Sequence, residues 1–273
     1  MLHWLFYPLR NSFIGFNLLG YITFRSAAAA VVALLVTFLA APRIIRYLKS
    51  RGIGETIRRD GPQAHHGKAG TPTLGGLIIL LAVLVSMLLF GRLDNFYTRL
   101  LIGTTLWFGA VGFVDDWLKV VKKYPKGLIG RYKLAGQILW GIVVAVSILH
   151  SPEYRGVQTF STVPFFKNLM VDFGLLYIPM VIFVITATSN AVNLTDGLDG
   201  LAIGLVGIAA LAWAGISYVT GRVDFSGYLN IFYLKGAGEI TVYCAALIGA
   251  SISFLWYNSH PASVFMGDTG ALM

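Results

Sequence analysis

Long runs free of Asp, Glu, Lys and Arg alternate with short polar loops along this 273-residue chain. The charge-free runs are 26–42, 69–91, 100–114, 134–152, 173–195, 200–221 and 240–267. A membrane span takes about 20 mostly apolar residues. The pattern therefore predicts seven transmembrane helices, with cores near 24–43, 74–91, 98–116, 134–150, 173–191, 201–219 and 240–257. Helix is the element of choice, because isolated strands leave backbone groups unpaired in lipid. Residues 271–273 read as the opening of an eighth helix. The predicted fold is thus an all-α, polytopic membrane bundle. No linker, internal repeat or low-complexity tract beyond Ala27–Ala30 divides it, so residues 1–273 form one membrane domain.

Composition agrees with that reading. Hydrophobic residues make up 56% and charged residues 12% of the chain, with mean hydropathy +0.73; a soluble domain carries about 25% charged residues. The first 25 residues are not expected to form a cleavable leader: they are too long and too weakly basic for one, and further spans follow. The single cysteine, Cys244, lies in an apolar run, which excludes a disulfide within one chain.

Charge also predicts orientation, through Lys and Arg in short loops. Segment 43–70 holds Arg43, Arg46, Lys49, Arg51, Arg58, Arg59 and Lys68, and segment 115–133 holds Lys119, Lys122, Lys123, Lys126, Arg131 and Lys133. The three loops on the other side carry two each: Arg92 and Arg99, Arg155 and Lys167, Arg222 and Lys235. This places 43–70 and 115–133 in the cytoplasm and the N-terminus outside. Alternation adds 192–200 and 258–273, which contain no Lys or Arg, to the cytoplasmic side. The net charge of +9 is mostly cytoplasmic. It matches the charge bias of membrane proteins and leaves some cations to bind an anionic substrate. Nucleic acid is not an expected partner, since the basic segments carry no nucleic-acid-binding signature.

Four loops on that one side bear carboxylates. Asp115-Asp116 falls near the C-terminal end of the third span, where the helix dipole and mutual repulsion both disfavour anions. The pair wants a cation. Lys119, four residues on, is the plain answer; Mg²⁺, which takes one or two carboxylates plus substrate phosphates, is the other. The segment 190–200 places Asn193, Asp196 and Asp199 three residues apart, close to one helical face that Asn190 extends backward. Such amides and carboxylates suit a nucleobase, a ribose or a metal. Capping of the helix starting near Gly200 by Asp196 or Asp199 is the plain alternative. Asp268, between Gly267 and Thr269, reads as a carboxylate presented on a tight turn, with Asn258 and His260 upstream. In the first loop, Asp60, His65, His66 and Lys68 precede Thr71-Pro72. Those two read as N-cap and first residue of a helix, whose N-terminus with Lys68 would suit an anion. The adjacent histidines make a poor chelate.

Taken in order, these motifs resemble those of the polyprenyl-phosphate N-acetylhexosamine-1-phosphate transferases, over nearly the whole chain from Tyr21 to Gly270. The most specific are Asp60-Gly61-Pro62 with Lys68 and Gly70-Thr71-Pro72-Thr73-Leu74-Gly75-Gly76. Gly112-Phe113-Val114-Asp115-Asp116, Asn190 to Gly200, and Val264-Phe265-Met266-Gly267-Asp268 follow. Gly70-Thr71-Pro72-Thr73 and Asn193-Leu194-Thr195-Asp196-Gly197-Leu198-Asp199-Gly200 favour the muramoyl branch over the N-acetylglucosamine branch. The family runs to about ten spans and has a late cytoplasmic His-rich loop that these residues lack. Ala271 stands where the family usually has Ser. A fragment or shortened form of a longer protein is the expectation, and the implied function is that of the full-length protein.

The resemblance implies transfer of phospho-N-acetylmuramoyl-pentapeptide from its UDP-linked precursor to undecaprenyl phosphate, yielding lipid I and UMP at the cytoplasmic face of a bacterial inner membrane. Such chemistry calls for Mg²⁺, with Asp268 as first metal ligand. Asp115, Asp116 and Asp268 are the candidate catalytic residues; Asp115 or Asp116 would take a proton from the lipid phosphate, a covalent aspartyl intermediate being the weaker alternative. Lys68 and Lys133 would offset pyrophosphate charge, and Asn190, Asn193, Asp196 and Asn258 would hold uridine and phosphate. Thr71 and Asp199 complete the substrate-binding set. The expected partners are undecaprenyl phosphate, the UDP-linked sugar-peptide and the lipid bilayer, with a homodimer as an open option. A lipid-phosphate transporter would want polar residues along the midplane, and 77–90, 134–149 and 201–216 carry no charge. A non-catalytic anchor would require a degenerate site, whereas every matched acidic residue is present.

Overall fold

The computed structural model describes residues 1–54, 70–124, 127–163, 166 and 169–273, the side chain of Glu153 apart. Lys68, Asp60, His65, His66 and Lys126 lie outside the described residues. The fold is a bundle of helices, with a hairpin of two three-residue strands, β1 (Phe160–Thr162) and β2 (Met170–Asp172), as the sheet among the described residues.

Six helical segments are long and apolar enough to cross a membrane. They are α2 (Ile22–Ser50), α4 (Phe96–Val120), α5 (Gly130–Leu149), α6 (Tyr177–Thr195), α7 (Leu201–Thr220) and α9 (Gly238–Asn258). The short helices α1 (Leu2–Phe6), α8 (Val223–Leu229) and α10 (Gly267–Ala271) flank them. The remaining predicted span, 74–91, is α3 (Gly76–Phe90), with 15 residues. At about 1.5 Å per residue it covers roughly 22 Å, less than the hydrocarbon core of about 30 Å.

The start of α3 corrects one expectation. Thr71 and Pro72 do not open the helix; it begins at Gly76, after Gly75. The intervening backbone is used elsewhere. Pro72 O accepts from Phe265 N at 2.8 Å, Gly75 N donates to Phe265 O at 2.9 Å, and Gly76 N donates to Met266 O at 2.7 Å. Leu74, at φ 73°, makes the bend that this ladder needs. Residues 72–76 are thereby tied to the segment leading into Asp268.

Small residues set the central packing. Lipid offers little hydrophobic drive between helices, so close backbone approach matters. Ala29 and Ala33 of α2 meet Ala246 and Ala250 of α9 in the buried core. A side chain at Gly249 would run into the Ala30 carbonyl. The core continues through Phe254, Val264 and Met266 to the underside of α10.

At the opposite end, Arg25 and Glu239 form a bidentate ion pair, 2.6 Å at each contact. Arg25 is 1% and Glu239 4% exposed. Arg25 also donates to Phe90 O at 3.2 Å, satisfying a carbonyl at the end of the short α3. One pair of charges thus joins α2, α3 and α9.

Candidate active site

Asp115 and Asp116 occupy adjacent positions in the last turns of α4, and Asp268 opens α10. One oxygen from each lies within 4.8 Å of the others. Close backbone packing produces this convergence. A side chain at Gly112 would strike the Asp268 carbonyl, and one at Gly76 would strike Gly270 N. Helices α3 and α4 therefore hold α10 in a cleft that only glycine leaves open.

The two neighbouring aspartates face different partners, as their 100° separation on a helix requires. Asp116 accepts from Asp268 N at 3.0 Å, Thr269 N at 2.8 Å and Thr269 Oγ1 at 2.6 Å. It satisfies backbone donors at the start of α10, where N–H groups lack partners within the helix. Asp115 instead faces the lysines. Lys133 Nζ lies 3.0 Å from Asp115 Oδ1, and Lys119 Nζ lies 2.5 Å from Asp115 Oδ2. Leu128 N adds a bond to Oδ1 at 2.7 Å. Oδ2 is buried, and the Lys119 ammonium is its partner. Gly127, at φ 58°, lets the 127–129 turn cover this carboxylate; a side chain there would meet Asp115 Oδ1.

Both lysines also reach Asp268. Lys119 Nζ is 2.9 Å from its Oδ2, and Lys133 Nζ bonds the same oxygen. Burial works to raise the Asp268 pKa, but the Asp115 hydrogen bond and the two ammonium groups outweigh it and hold the carboxyl well below its ordinary range. Three carboxylates against two ammonium groups leave an acidic, oxygen-rich centre. Mg²⁺ takes oxygen ligands, and the three converging carboxylates fit a divalent cation.

The remaining predicted residues fall into two groups. Asn190, on α6, donates to Gln137 Oε1 at 2.9 Å and to Thr186 O at 2.8 Å; Gln137 is one turn beyond Lys133 on α5. The second group surrounds the 196–200 turn. Asn258 is 2% exposed, accepts from Gly200 N at 3.1 Å and donates to Val264 O at 2.9 Å. Asp199 Oδ2 accepts from Ala262 N at 3.4 Å and lies 3.1 Å from His260 Nδ1. Asn193, Asp196 and Asp199 do not share one helical face, contrary to the expectation. Helix α6 ends at Thr195, and Gly200, at φ 77°, turns the chain into α7. Neither acid caps α7, whose N-cap is Gly200. Thr71 lies just before the 72–76 ladder, half-buried.

These contacts join the acidic loops physically. Asp268 meets Lys119 and Lys133, and the 258–262 segment meets 199–200, so the 258–273 loop links the lysine-rich loop to the 199–200 turn. Lys119 reads from the sequence as an i+4 partner of Asp115 and an i+3 partner of Asp116. Its reach to Asp268, 149 residues on, is a tertiary feature. Gln137 and Ser189 were not candidates either; the available signal was an amide and a hydroxyl inside charge-free runs.

Fold and site together define a polytopic helical membrane protein with a lysine-bridged carboxylate centre at one end of the bundle. The glycosyl transferase family 4 model matches residues 98–273. A phospho-N-acetylmuramoyl-pentapeptide-transferase of Gemmatimonas aurantiaca is 52% identical over 281 residues, spanning 100% of this chain and 74% of that protein. Its counterpart in Thermodesulfovibrio yellowstonii is 47% identical over 272 residues, spanning 100% and 75%. That of Chloroherpeton thalassium is 48% identical over 258 residues, spanning 94% and 70%. The chain belongs to glycosyl transferase family 4, among the phospho-N-acetylmuramoyl-pentapeptide-transferases.

Proposed function

We propose that this protein transfers phospho-N-acetylmuramoyl-pentapeptide from its UDP-linked form to undecaprenyl phosphate, giving lipid I and UMP. The observation that carries the reading is the convergence of Asp115, Asp116 and Asp268 with Lys119 and Lys133, in a chain with these relatives. Phosphoryl transfer depends mainly on positioning and charge stabilisation, and this cluster supplies both kinds of charge.

An oxygen of the lipid phosphate attacks the phosphorus attached to the sugar. The new P–O bond forms as the bond to the bridging oxygen breaks, and UMP leaves with that electron pair. Lys133 and Lys119, released from Asp268, meet the pyrophosphate oxygens and offset their charge, with Lys68 from the first loop. Asp115 receives the proton when the lipid phosphate enters as its monoanion, because its partners are the lysines that turn to the substrate, whereas Asp116 is held by Thr269 and the Asp268 N–H. Asp116 keeps the α10 turn in place. Mg²⁺, held by Asp268, would supply neutralisation of the charge that develops on the leaving group. Asn190, Asn193, Asp196 and Thr71 form the surrounding polar surface for uridine and sugar, and the buried side chains of Asn258 and Asp199 hold the 199–200 and 258–264 turns beneath it.

The centre faces the cytoplasm of the bacterial inner membrane. Lys119 and Lys133 belong to one of the two segments richest in basic residues, and such segments stay inside. A homodimer is compatible with the reading. The test is UMP release by the purified chain in lipid nanodiscs with both substrates and Mg²⁺. Release dependent on both supports the reaction. Release with UDP-N-acetylglucosamine in place of the muramoyl donor, or none with either, overturns it.

A further inference from the structure

Lys133 shares its face of α5 with a second polar residue. Gln137, one turn on, is 1% exposed inside an apolar span. A buried amide costs free energy unless it is bonded, and Gln137 uses both ends. Its Oε1 accepts from Asn190 Nδ2 at 2.9 Å, and its Nε2 donates to Ser189 Oγ at 3.3 Å. Ser189 in turn donates to Leu272 O at 3.0 Å, one residue beyond α10. The chain of bonds runs from α5 through α6 to the turn that carries Asp268.

We infer that Gln137 is a positioning residue for phosphoryl transfer, fixing the Asp268 turn against Lys133 through Ser189 and Leu272. The inference rests on the proposed reaction. Asp116 holds the start of α10 from the α4 side; the Gln137–Ser189–Leu272 chain holds its end from the α5–α6 side. Asp268 is thus set between two anchors, and Lys133 and Asn190 are registered to it by the same amide. An amide that merely joined α5 to α6 would stop at Asn190. Those helices already approach closely, since a side chain at Gly141 would lie 3.0 Å from Ile182 Cα. The last link, to Leu272, has no use in that simpler role. Displacing a reacting group by about 1 Å can cost on the order of 10²-fold in rate.

The test uses Gln137→Met, which keeps the volume and removes both bonds, Ser189→Ala, which removes one hydroxyl, and the double variant. Turnover, both KM values, melting temperature and Mn²⁺ affinity by electron paramagnetic resonance are measured in nanodiscs. Each single change is expected to lower kcat by about 10- to 100-fold with KM within about twofold. The double variant should be no slower than the worse single one, as residues acting in one chain are not additive. Mn²⁺ affinity should fall by about 10-fold, the lower end of the loss at a disturbed outer shell. Turnover by the unsubstituted chain tests the reaction itself, and Mn²⁺ affinity reads the Asp268 turn even without turnover. Unchanged kcat and Mn²⁺ affinity in folded Ser189→Ala overturn the inference. So do multiplicative losses in the double variant, or a change confined to KM.

Discussion

Thr269 gives Asp116 two hydrogen bonds, one from its backbone N–H at 2.8 Å and one from its hydroxyl at 2.6 Å. Asp115, the preceding residue on the same helix, makes no contact with Thr269; it accepts from Leu128 N and faces Lys119 and Lys133. Two adjacent carboxylates therefore do different work. Asp116→Asn replaces an acceptor oxygen with a donor facing Thr269 N–H, so α10 should shift, the melting temperature should fall and turnover should drop. Asp115→Asn should fold normally, lose turnover and flatten the acidic limb of the rate profile, because only the base shapes that limb. Equal losses with unchanged pH profiles would leave neither as the base.

The Arg25–Glu239 pair supports the end of the bundle remote from the site. Removing one member of a buried pair leaves an uncompensated charge, at a cost of about 3–5 kcal/mol. Arg25→Met and Glu239→Leu should each lower thermal stability strongly, and the double variant should recover much of the loss. Thermal unfolding in detergent checks this; a single variant as stable as the parent would remove the pair from the structural core.

Much of the architecture was readable from one dimension of the chain. Charge-free runs mark where helices lie, because lipid forbids unpaired backbone, and Asp115, Asp116 and Asp268 stood out as charges at the ends of such runs. What escaped was tertiary. Thr71-Pro72 carries the local signature of a helix start, yet pairing of Pro72 with Phe265 overrides it. Asn193, Asp196 and Asp199 have helical spacing, yet the turn through Gly197 and Gly200 breaks the helix before the face is complete. Arg25 and Glu239 are 214 residues apart, and no local pattern joins them.

Orientation has a direct test. Cys244 is buried and gives little background. Cysteines introduced at Tyr124 and Leu198, which are exposed, should label only from the cytoplasmic side, and one at Tyr228, 88% exposed, only from outside. Labelling of Leu198→Cys from outside in intact cells would separate the 196–200 turn from the lysine-rich side and break the single-site arrangement.

Acid should reveal the ion pairs around Asp268. Its folded pKa lies below the ordinary carboxylate value of 3.8. A depressed pKa contributes stability above the unfolded value, and that contribution is lost as pH falls through the folded one. Lys133→Met removes one of the ammonium groups responsible, so the folded pKa should rise toward the ordinary value. The stabilisation left at neutral pH should shrink, and what remains should be lost at a higher pH than in the parent. Melting temperature followed from neutral toward acid pH reads both effects. An unchanged acid limb in Lys133→Met would mean that Asp115 and Lys119 sustain the Asp268 charge without Lys133.

Asp268 is where the metal and charge arguments meet. It contacts both lysines, and its backbone N–H is fixed by Asp116, so its side chain can change partner without moving the turn. Asp268→Asn keeps the shape, removes the negative charge and releases Lys119 and Lys133 from it. The fold should survive, because Asp116 still receives Thr269. Turnover should fall by roughly 10²–10³, the scale of one lost electrostatic contact to developing charge. Mn²⁺ binding should weaken in parallel, which separates a lost ligand from a disturbed lysine. Lys133→Met offers the contrast: it should slow turnover while leaving Mn²⁺ bound, since it removes a cation that competes for Asp268. If Asp268→Asn retains both turnover and Mn²⁺ affinity, the metal would have to rest on Asp115 and Asp116 alone, and Asp268 would be only the anchor that keeps two lysines at hand.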